Sequence, residues 1–327
     1  MSTTRHLNWP SALGVWAAIC FAAALSVPRQ GIGGRELPVT LSVFALYLGI
    51  ALLLAARGIT ERLLVSYGSA AGFFLGLALL IAYLIYALGT NSISLGHASI
   101  ASAFVFLPLG LVASAARTAP GAWQDYVLLG ASWVAVKFYL SEWLWPYPGG
   151  RLSHILTILL AMDVALACFL LVRKVDGTGY SIGWGDRWTF LILSSFGLFA
   201  VIAIPLGTTI HFIQFEPRYQ DFKSLPLTAL YILVFTAWPE ELLFRGLLQN
   251  LLSRTLTSDA LGWICASVLF GLSHITNYHF PNWRYVLLGS IAGLFYGWTW
   301  RKSGSIFASA LVHTLVNTTW HFLFLTL

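Results

Sequence analysis

Charged side chains are scarce in this chain: Asp, Glu, Lys and Arg together make up 9% of its 327 residues. Water-soluble domains carry about a quarter, so the deficit excludes an ordinary soluble domain. The strict polar–apolar alternation that outer-membrane barrel strands require is also missing. The residues present instead are apolar, with 58% hydrophobic and a mean hydropathy of +0.79. This composition predicts a helical polytopic membrane protein, because helices satisfy their own backbone hydrogen bonds in lipid.

The net positive charge is small, and cysteine is rare. The net charge of +6 is scattered over loops, which is typical of charge that orients a membrane protein and not of a nucleic-acid surface. The three cysteines lie in apolar segments without the spacing of a metal site: Cys20, Cys168 and Cys265. We therefore expect a lipid bilayer around the chain and no nucleic-acid partner.

Apolar runs of about 20 residues predict an all-α transmembrane bundle of about eleven helices, within a range of nine to twelve. The predicted helices span 11–27, 37–56, 68–90, 98–116, 122–145, 152–172, 189–212, 225–253, 259–275, 283–300 and 304–325. The segment 173–187 is the most polar and glycine-rich linker. It separates an N-terminal membrane extension of about six helices and unknown function, residues 1–175, from a C-terminal membrane core, residues 180–327.

Two adjacent glutamates, Glu240 and Glu241, stand in an otherwise apolar segment of the C-terminal core. An ionised carboxylate near the bilayer centre costs several kcal/mol, so the default explanation for the pair is function. Arg245 follows Glu241 by four residues, which places the two on one helix face as an ion pair. This pairing would leave Glu240 as the carboxylate available for chemistry.

Two further clusters share the same four-residue spacing. Phe270 and His274 come near the end of one predicted helix, so the ring can pack beside the imidazole, and His313 and Asn317 lie in the last helix. A carboxylate, two imidazoles and an amide from three helices suit a buried hydrolytic site. Glutamate would act as general base, one imidazole would orient the water, and the remaining donors would stabilise the oxyanion.

A stripe of glycines predicts how these helices meet. Gly289, Gly293 and Gly297 recur every four residues on the helix 283–300. Small residues at this spacing let membrane helices approach closely. We expect this packing to bring the helices 259–275 and 304–325 near Glu240.

Taken together, the three clusters resemble the signature motifs of the CPBP family of intramembrane proteases, which includes the CAAX prenyl endopeptidases of the Rce1 type. The motifs are Glu240-Glu241-xxx-Arg245, Phe270-xxx-His274 and His313-xxx-Asn317. Their order and distances fit the family, and the resemblance covers roughly residues 180–327. It implies an intramembrane endopeptidase of the glutamic type, historically described as a metalloprotease.

The resemblance also implies a role for each motif residue. Glu240 would activate the attacking water, and His274 would help to hold it. His313 and Asn317 would stabilise the oxyanion. The other motif residues would support the site structurally: Glu241, Arg245 and Phe270. No cofactor is expected, because the chain has no His-Glu-x-x-His helix. A zinc ion held by Glu240, His274 and His313 stays open as an alternative.

The expected substrate is a membrane-anchored protein or peptide. By analogy with the family it would be cut near its C-terminus, in a sorting tail or in a prenylated CAAX tail. We expect an integral multi-pass protein of the bacterial inner (cell) membrane.

Three other interpretations remain. Gly183-Trp-Gly-Asp186, with Asp163 in the preceding helix, matches part of the GxGD aspartyl protease pattern, although Asp186 is more simply the N-cap of the next helix. Ser273 with His313 would form a rhomboid-like serine dyad but would leave the carboxylates unexplained. A proton-coupled transporter, using residues such as Asp163 and Glu240, or a catalytically silent membrane or immunity scaffold is the third.

Overall fold

The computed structural model describes residues 4–29, 31–138 and 140–327 of the chain. These residues are mainly helical, and each strand among them is three residues long. The chain divides into two compact units. The N-terminal unit runs from His6 to Asp176, and the C-terminal unit runs from Gly177 to Leu327 and also takes in Thr4 and Arg5. The predicted all-α fold class is confirmed.

The N-terminal unit is a helical bundle. Its helices are α1 (Trp9–Arg29), α2 (Leu37–Leu54), α3 (Ile59–Tyr67), α4 (Ala70–Gly89), α5 (Leu95–Ser114), α6 (Trp123–Lys137), α7 (Leu140–Leu144) and α8 (Gly150–Leu166). A short strand, β1 (Thr4–His6), precedes α1, and its first two residues belong to the C-terminal unit. The helix α8 is largely buried, as expected of a central helix. It continues as a π-helical segment, Ala167–Val172, after which the Arg173 N–H bonds to the Cys168 carbonyl.

A buried ion pair lies at the end of this central helix. The Arg173 guanidinium grips the Asp125 carboxylate with two bonds, Nε to Oδ1 and Nη2 to Oδ2, both 2.8 Å. Its other donors bond to three main-chain carbonyls, those of Ala115, Thr118 and Ala119. Asp125 also accepts the N–H groups of Gly121 and Ala122. The pair therefore fastens the connection between α5 and α6 to the end of the central helix.

The C-terminal unit contains one long composite helix and four others. In order, its elements are β2 (Gly183–Gly185), α9 (Trp188–Thr209), β3 (Ile213–Phe215), a 3₁₀ turn (Tyr219–Ser224), α10 (Leu225–Ile232), a π segment (Leu233–Ala237), α11 (Trp238–Glu241), a second π segment (Leu242–Gln249), α12 (Asn250–Thr255), α13 (Asp259–Leu272), α14 (Trp283–Ser303), α15 (Ile306–Leu323) and β4 (Phe324–Thr326). The segments from Leu225 to Thr255 follow one another without interruption. We call this stretch the composite helix.

Local sequence explains where the last three helices begin. Ser258, Asn282 and Ser305 are their N-caps, and each side chain accepts a backbone N–H from the first turn. Gly304, with φ +68°, ends α14 in the left-handed conformation that glycine adopts without strain. The strands β3 and β4 pair antiparallel, with Ile213 opposite Thr326, and so join the end of α15 to the segment after α9.

Seven of the described helical stretches are long and apolar enough to cross a membrane. They are Trp9–Pro28, Leu37–Leu54, Ala70–Gly89, Leu95–Ser114, Gly150–Val172, Trp188–Thr209 and Tyr219–Thr255. The chain is thus an integral multi-pass membrane protein.

Two sequence predictions need correction in detail, and one helix was not predicted. The predicted helix 122–145 is divided into α6 and α7, and Tyr139 between them lies outside the described residues. The helix α3 was not predicted, because its nine residues fall below the length of a membrane span. The prediction of Asp186 as an N-cap is wrong. The N-cap of α9 is Arg187, so Asp186 comes one residue too early to cap the first turn.

Candidate functional site

The composite helix places the two glutamates between two π-helical segments. Pro239 has no N–H to donate, so an unbroken α-helical ladder is impossible here. In the preceding π segment the Trp238 N–H bonds to the Leu233 carbonyl, five residues earlier. Glu240 and Glu241 then occupy the four-residue α11, and the second π segment begins directly after them. Such widened turns occur mostly as short insertions in α-helices and often at functional sites.

Glu241 is fully buried, and both of its carboxylate oxygens are engaged. Oε2 receives the Arg245 Nε at 3.1 Å and the Ser309 hydroxyl. Oε1 lies 3.0 Å from the His313 Nδ1. The predicted ion pair between Glu241 and Arg245 is therefore present, and it is joined by two groups from α15.

The Arg245 guanidinium lies between aromatic rings. Its Cζ is 5.0 Å from the centroid of Phe270 and 5.9 Å from that of Tyr296. Among the described residues its Nη1 and Nη2 have no hydrogen-bond partner. Cation–π attraction is strongest where water is absent, as it is around this fully buried side chain. Arg245 is thus held by one carboxylate and two ring faces.

His313 is fixed on three sides. Its ring stacks on Tyr296, with centroids 4.6 Å apart and planes 16° apart, and it meets the Phe270 ring edge-on at 5.7 Å. Nδ1 faces Glu241, and Nε2 lies 3.9 Å from Glu240 Oε2. An ionised carboxylate can only accept a hydrogen bond, so Nδ1 carries the proton in this contact. The ring therefore bridges the two glutamates, with Nε2 as its atom on the Glu240 side.

His274 sits at the end of α13. Its Nδ1 is 2.9 Å from the Phe270 carbonyl, which can only accept, so Nδ1 carries the proton and Nε2 is left as an acceptor. The ring packs beside Phe270 at 5.0 Å, as predicted, and lies 4.6 Å from the Tyr285 ring. The Ser273 hydroxyl is 3.0 Å from the same Nδ1 and also donates to the Phe270 carbonyl.

Glu240 differs from its neighbour in exposure. Its side chain is 35% exposed, whereas that of Glu241 is 0% exposed. The Glu240 Oε2 atom is itself buried on the side that faces His313. Asn317 is half-buried, one turn beyond His313 on α15. The more accessible carboxylate is therefore the one that the sequence predicts to act on water.

Close packing of α14 against α13 assembles this site, as the glycine stripe predicts. A Cβ added at Gly289 would come within 3.2 Å of the Gly271 Cα, and one at Gly293 within 3.0 Å of the Ser267 Cα. Only glycine allows backbones to approach so closely. The approach sets Tyr296 of α14 beside both Phe270 of α13 and His313 of α15.

Two residues of the site were not predicted from the sequence. Ser309 precedes His313 by four residues, and Asn317 follows it by four, so the spacing alone places the three on one face of α15. Tyr296 directly precedes Gly297 of the glycine stripe, but its stacking on His313 depends on how two helices pack. Ser309 could therefore have been found from the sequence, whereas Tyr296 could not.

The alternative that a zinc ion is held by Glu240, His274 and His313 can be compared with the arrangement of these side chains. Among the described residues no group of three or more His, Cys, Asp and Glu side chains could hold a metal ion. Glu240, His274 and His313, the alternative zinc ligands, are thus not arranged as such a group.

The other candidate catalytic residues lie in different surroundings. Asp163 is fully buried in α8 of the N-terminal unit, and Asp186 belongs to the C-terminal unit. The hydroxyl of Ser273 is bonded to its own helix end, as described above, and the His313 Nδ1 is occupied by Glu241.

A family comparison supports the motif-based resemblance. Residues 222–319 match the Rce1-like family model, described as type II CAAX prenyl endopeptidase Rce1-like. This segment contains the composite helix and every motif residue named above. Comparison with curated proteins and with solved structures finds no match. Over residues 222–319 this integral membrane chain is therefore similar to the Rce1-like group of the CPBP family, a family of CAAX-type intramembrane proteases.

Proposed function

We propose that the C-terminal unit is a glutamic-type intramembrane endopeptidase in which Glu240 activates the attacking water. The observation that carries this proposal is the asymmetry of the two glutamates. Glu241 is fully buried and bonded through both oxygens, whereas Glu240 is partly exposed beside His313. A general base must reach both water and substrate. Of the two glutamates, Glu240 is the one whose side chain is accessible.

The other motif residues have roles in the same step. His274 has its proton on Nδ1, facing the Phe270 carbonyl, so its Nε2 is the ring nitrogen that can accept a hydrogen bond from the water. Glu240 takes a proton from that water as its oxygen attacks the peptide carbonyl. Asn317 provides a donor for the oxyanion on the α15 side, and His313 provides a second one once its Nε2 carries a proton. Preorganised donors of this kind stabilise a transition state most strongly where water is excluded.

The proposed substrate is a membrane-anchored protein or peptide that is cut near its C-terminus, and the proposed location is the bacterial inner membrane. The family match to CAAX prenyl endopeptidases supports a C-terminal tail as the cleaved segment. Cleavage of a peptide bond near the C-terminus is the same reaction in a prenylated CAAX tail and in an unmodified sorting tail. Peptides of one sequence with and without a prenyl group distinguish the two.

The test is cleavage of such tail peptides by the purified full chain in lipid vesicles. Glu240→Gln should lower kcat by about 10²–10⁴-fold, the usual contribution of general base catalysis, with little change in KM. Glu61→Gln, an exposed glutamate of the N-terminal unit, is the matched control. Hydrolysis in H₂¹⁸O should place one ¹⁸O in the new carboxyl group, as read by mass spectrometry.

Four outcomes contradict the proposal. Normal cleavage by Glu240→Gln removes its central claim. Loss of activity in Ser273→Ala but not in Glu240→Gln indicates a serine route, and the same result for Asp186→Asn indicates an aspartyl route. Loss of cleavage after chelation, with recovery on adding zinc, indicates a metal-dependent route.

A further inference from the structure

The contact between Glu241 and His313 goes beyond structural support. Oε1 of Glu241 lies 3.0 Å from Nδ1 of His313, while Nε2 of the same ring points toward Glu240 at 3.9 Å. A carboxylate behind one imidazole nitrogen sets the tautomer of the ring and stabilises the ring when it becomes doubly protonated. Glu241 stands in that position relative to His313.

We infer that Glu241 is the positioning residue of a carboxylate–imidazole pair and that His313 carries the catalytic proton from Glu240 to the leaving amine. The inference rests on the proposed function. It assigns to Glu241 a role in the proton path, beyond its ion pair with Arg245. It also explains how His313 becomes a donor at Nε2, the only ring nitrogen left on the substrate side.

The proton path balances without any further reactant. Glu240 takes a proton from water as the C–O bond forms at the peptide carbonyl. It passes this proton to Nε2 of His313, where the 3.9 Å separation is about 1 Å longer than a hydrogen bond. The doubly protonated ring then gives the Nε2 proton to the amide nitrogen as the C–N bond breaks. Glu240 is again a carboxylate, His313 is again neutral, and the products are one acid and one amine.

The surroundings of His313 suit such a relay. The groups that contact it are Glu240 and Glu241 from the composite helix, Tyr296 from α14 and Phe270 from α13. Arg245 and Ser309 bond to the same Glu241 carboxylate. The cluster thus holds one arginine and two glutamates. While the ring carries the extra proton, the opposite charges in the cluster come closer to balance, which lowers the cost of holding charge away from water.

The relay also requires that the Glu241 carboxylate and the His313 ring be held in fixed positions. The Glu241 carboxylate is held by Arg245 Nε and by the Ser309 hydroxyl, so its Oε1 is aimed at His313. The imidazole is held by the stacked Tyr296 ring and by the edge of Phe270. Both partners are therefore locked before substrate arrives, as positioned catalytic groups must be.

The first test uses a neutral replacement of the ion pair. Glu241→Gln alone leaves the Arg245 charge buried without its partner and can unfold the protein. The double variant Glu241→Gln, Arg245→Met removes both charges and keeps the volumes similar. We expect it to fold, with kcat lowered by at least about 100-fold and KM changed less than about threefold, since loss of an orienting carboxylate costs up to about 10⁴ in kcat. Wild-type kcat in a folded double variant overturns the inference.

A milder variant covers the case in which the double variant does not fold. Ser309→Ala removes one donor to Glu241 without changing any charge, and we expect kcat to fall by about three- to tenfold. Ser153→Ala, another buried serine, whose hydroxyl donates to the Trp145 carbonyl in the N-terminal unit, is the matched control and should keep the wild-type kcat. Equal kcat in the two serine variants contradicts the role of Glu241.

A spectroscopic measurement reads the tautomer directly. In protein labelled with ¹⁵N-histidine, the His313 signals, assigned by their absence in His313→Gln, should show a protonated Nδ1 in the wild type. The double variant should show a mixture of tautomers. A neutral ring protonated at Nε2 in the wild type overturns the inference. A wild-type chain that cleaves no tail peptide overturns the proposed function and the relay with it, whereas normal cleavage by the double variant overturns the relay alone.

Discussion

The chain contains two buried arginine–carboxylate pairs that use the same chemistry for different ends. In the N-terminal unit Arg173 grips Asp125 with two bonds of 2.8 Å, and three carbonyls take its other donors. In the C-terminal unit Arg245 makes one bond to Glu241, at 3.1 Å. The first pair is closed on itself. The second leaves one carboxylate oxygen for His313.

The number of hydrogen bonds within each pair decides whether its carboxylate can also act on another side chain. A bidentate pair with every donor satisfied gains its full hydrogen bonding from the pair and the backbone, so it stabilises a connection and nothing more. A monodentate pair, supported by ring faces instead of carbonyls, keeps a carboxylate oxygen directed at a titratable side chain. Changes at the first pair should therefore alter stability, and changes at the second should alter catalysis.

Asp125→Asn should cause the largest loss of stability. The substitution leaves the Arg173 charge buried without a counter-charge, which costs about 3–5 kcal/mol of unfolding free energy. Thermal unfolding followed by tryptophan fluorescence should show a midpoint lower by at least about 6 °C. The kcat per folded molecule should stay that of the wild type.

The control for this prediction is Glu61→Gln, which changes an exposed carboxylate of the same unit. An Asp125→Asn protein that melts with the wild type would show that the closed pair contributes little stability. A folded variant with a much lower kcat would show that the Arg173–Asp125 pair affects catalysis as well as stability.

A smaller effect is expected from filling the contact between α13 and α14. A Cβ at Gly271 would meet the Ser290 hydroxyl, the Val286 carbonyl and, at 2.7 Å, the Ser290 nitrogen. Overpacking of this kind costs about 1–3 kcal/mol, and the shift should move His274 and Tyr296. Gly271→Ala should therefore lower both the melting temperature and kcat.

Gly110→Ala is the matched substitution in the N-terminal unit. A Cβ at Gly110 would meet nothing within 4 Å, so alanine should be neutral or stabilise α5 by up to about 1 kcal/mol. Equal losses of kcat in the two alanine variants would mean that the helix contact at Gly271 does not position the site.

The smallest effect is expected from Phe270→Leu. The ring lies 5.0 Å below the Arg245 guanidinium, and a cation–π contact away from water contributes about 2 kcal/mol or less. Phe199→Leu removes another buried ring, from α9, and controls for the loss of size. The two changes in unfolding free energy should differ by about 1 kcal/mol, and only Phe270→Leu should reduce kcat. Equal values for both variants would assign no cation–π contribution to Phe270.

Contacts within one helix turn could be predicted from the sequence. The Glu241–Arg245 ion pair and the packing of Phe270 against His274 each join residues four apart, and the structure shows both. The glycine stripe also predicted which helices approach. These predictions depend only on helix geometry, which the apolar runs determine over most of the chain.

Contacts between distant segments could not be predicted. His313 and Glu241 are 72 residues apart, and their hydrogen bond depends on the rotation of two helices about their own axes. The stacking of Tyr296 on His313 has the same dependence. The π-helical turns beside Glu240 also left no clear signal beyond Pro239, because a widened turn reflects a balance of packing and backbone bonding.

These widened turns also control the rotational phase of the composite helix. In an ordinary α-helix each fourth residue advances by about 40° beyond a full turn, so three such residues fan over about 80°. Turns with more residues reduce this advance. Glu241, Arg245 and Gln249, spaced by four along the second π segment, all have 0% exposed surface. Three polar side chains thus stay buried within the protein along a helix that is long enough to span the membrane.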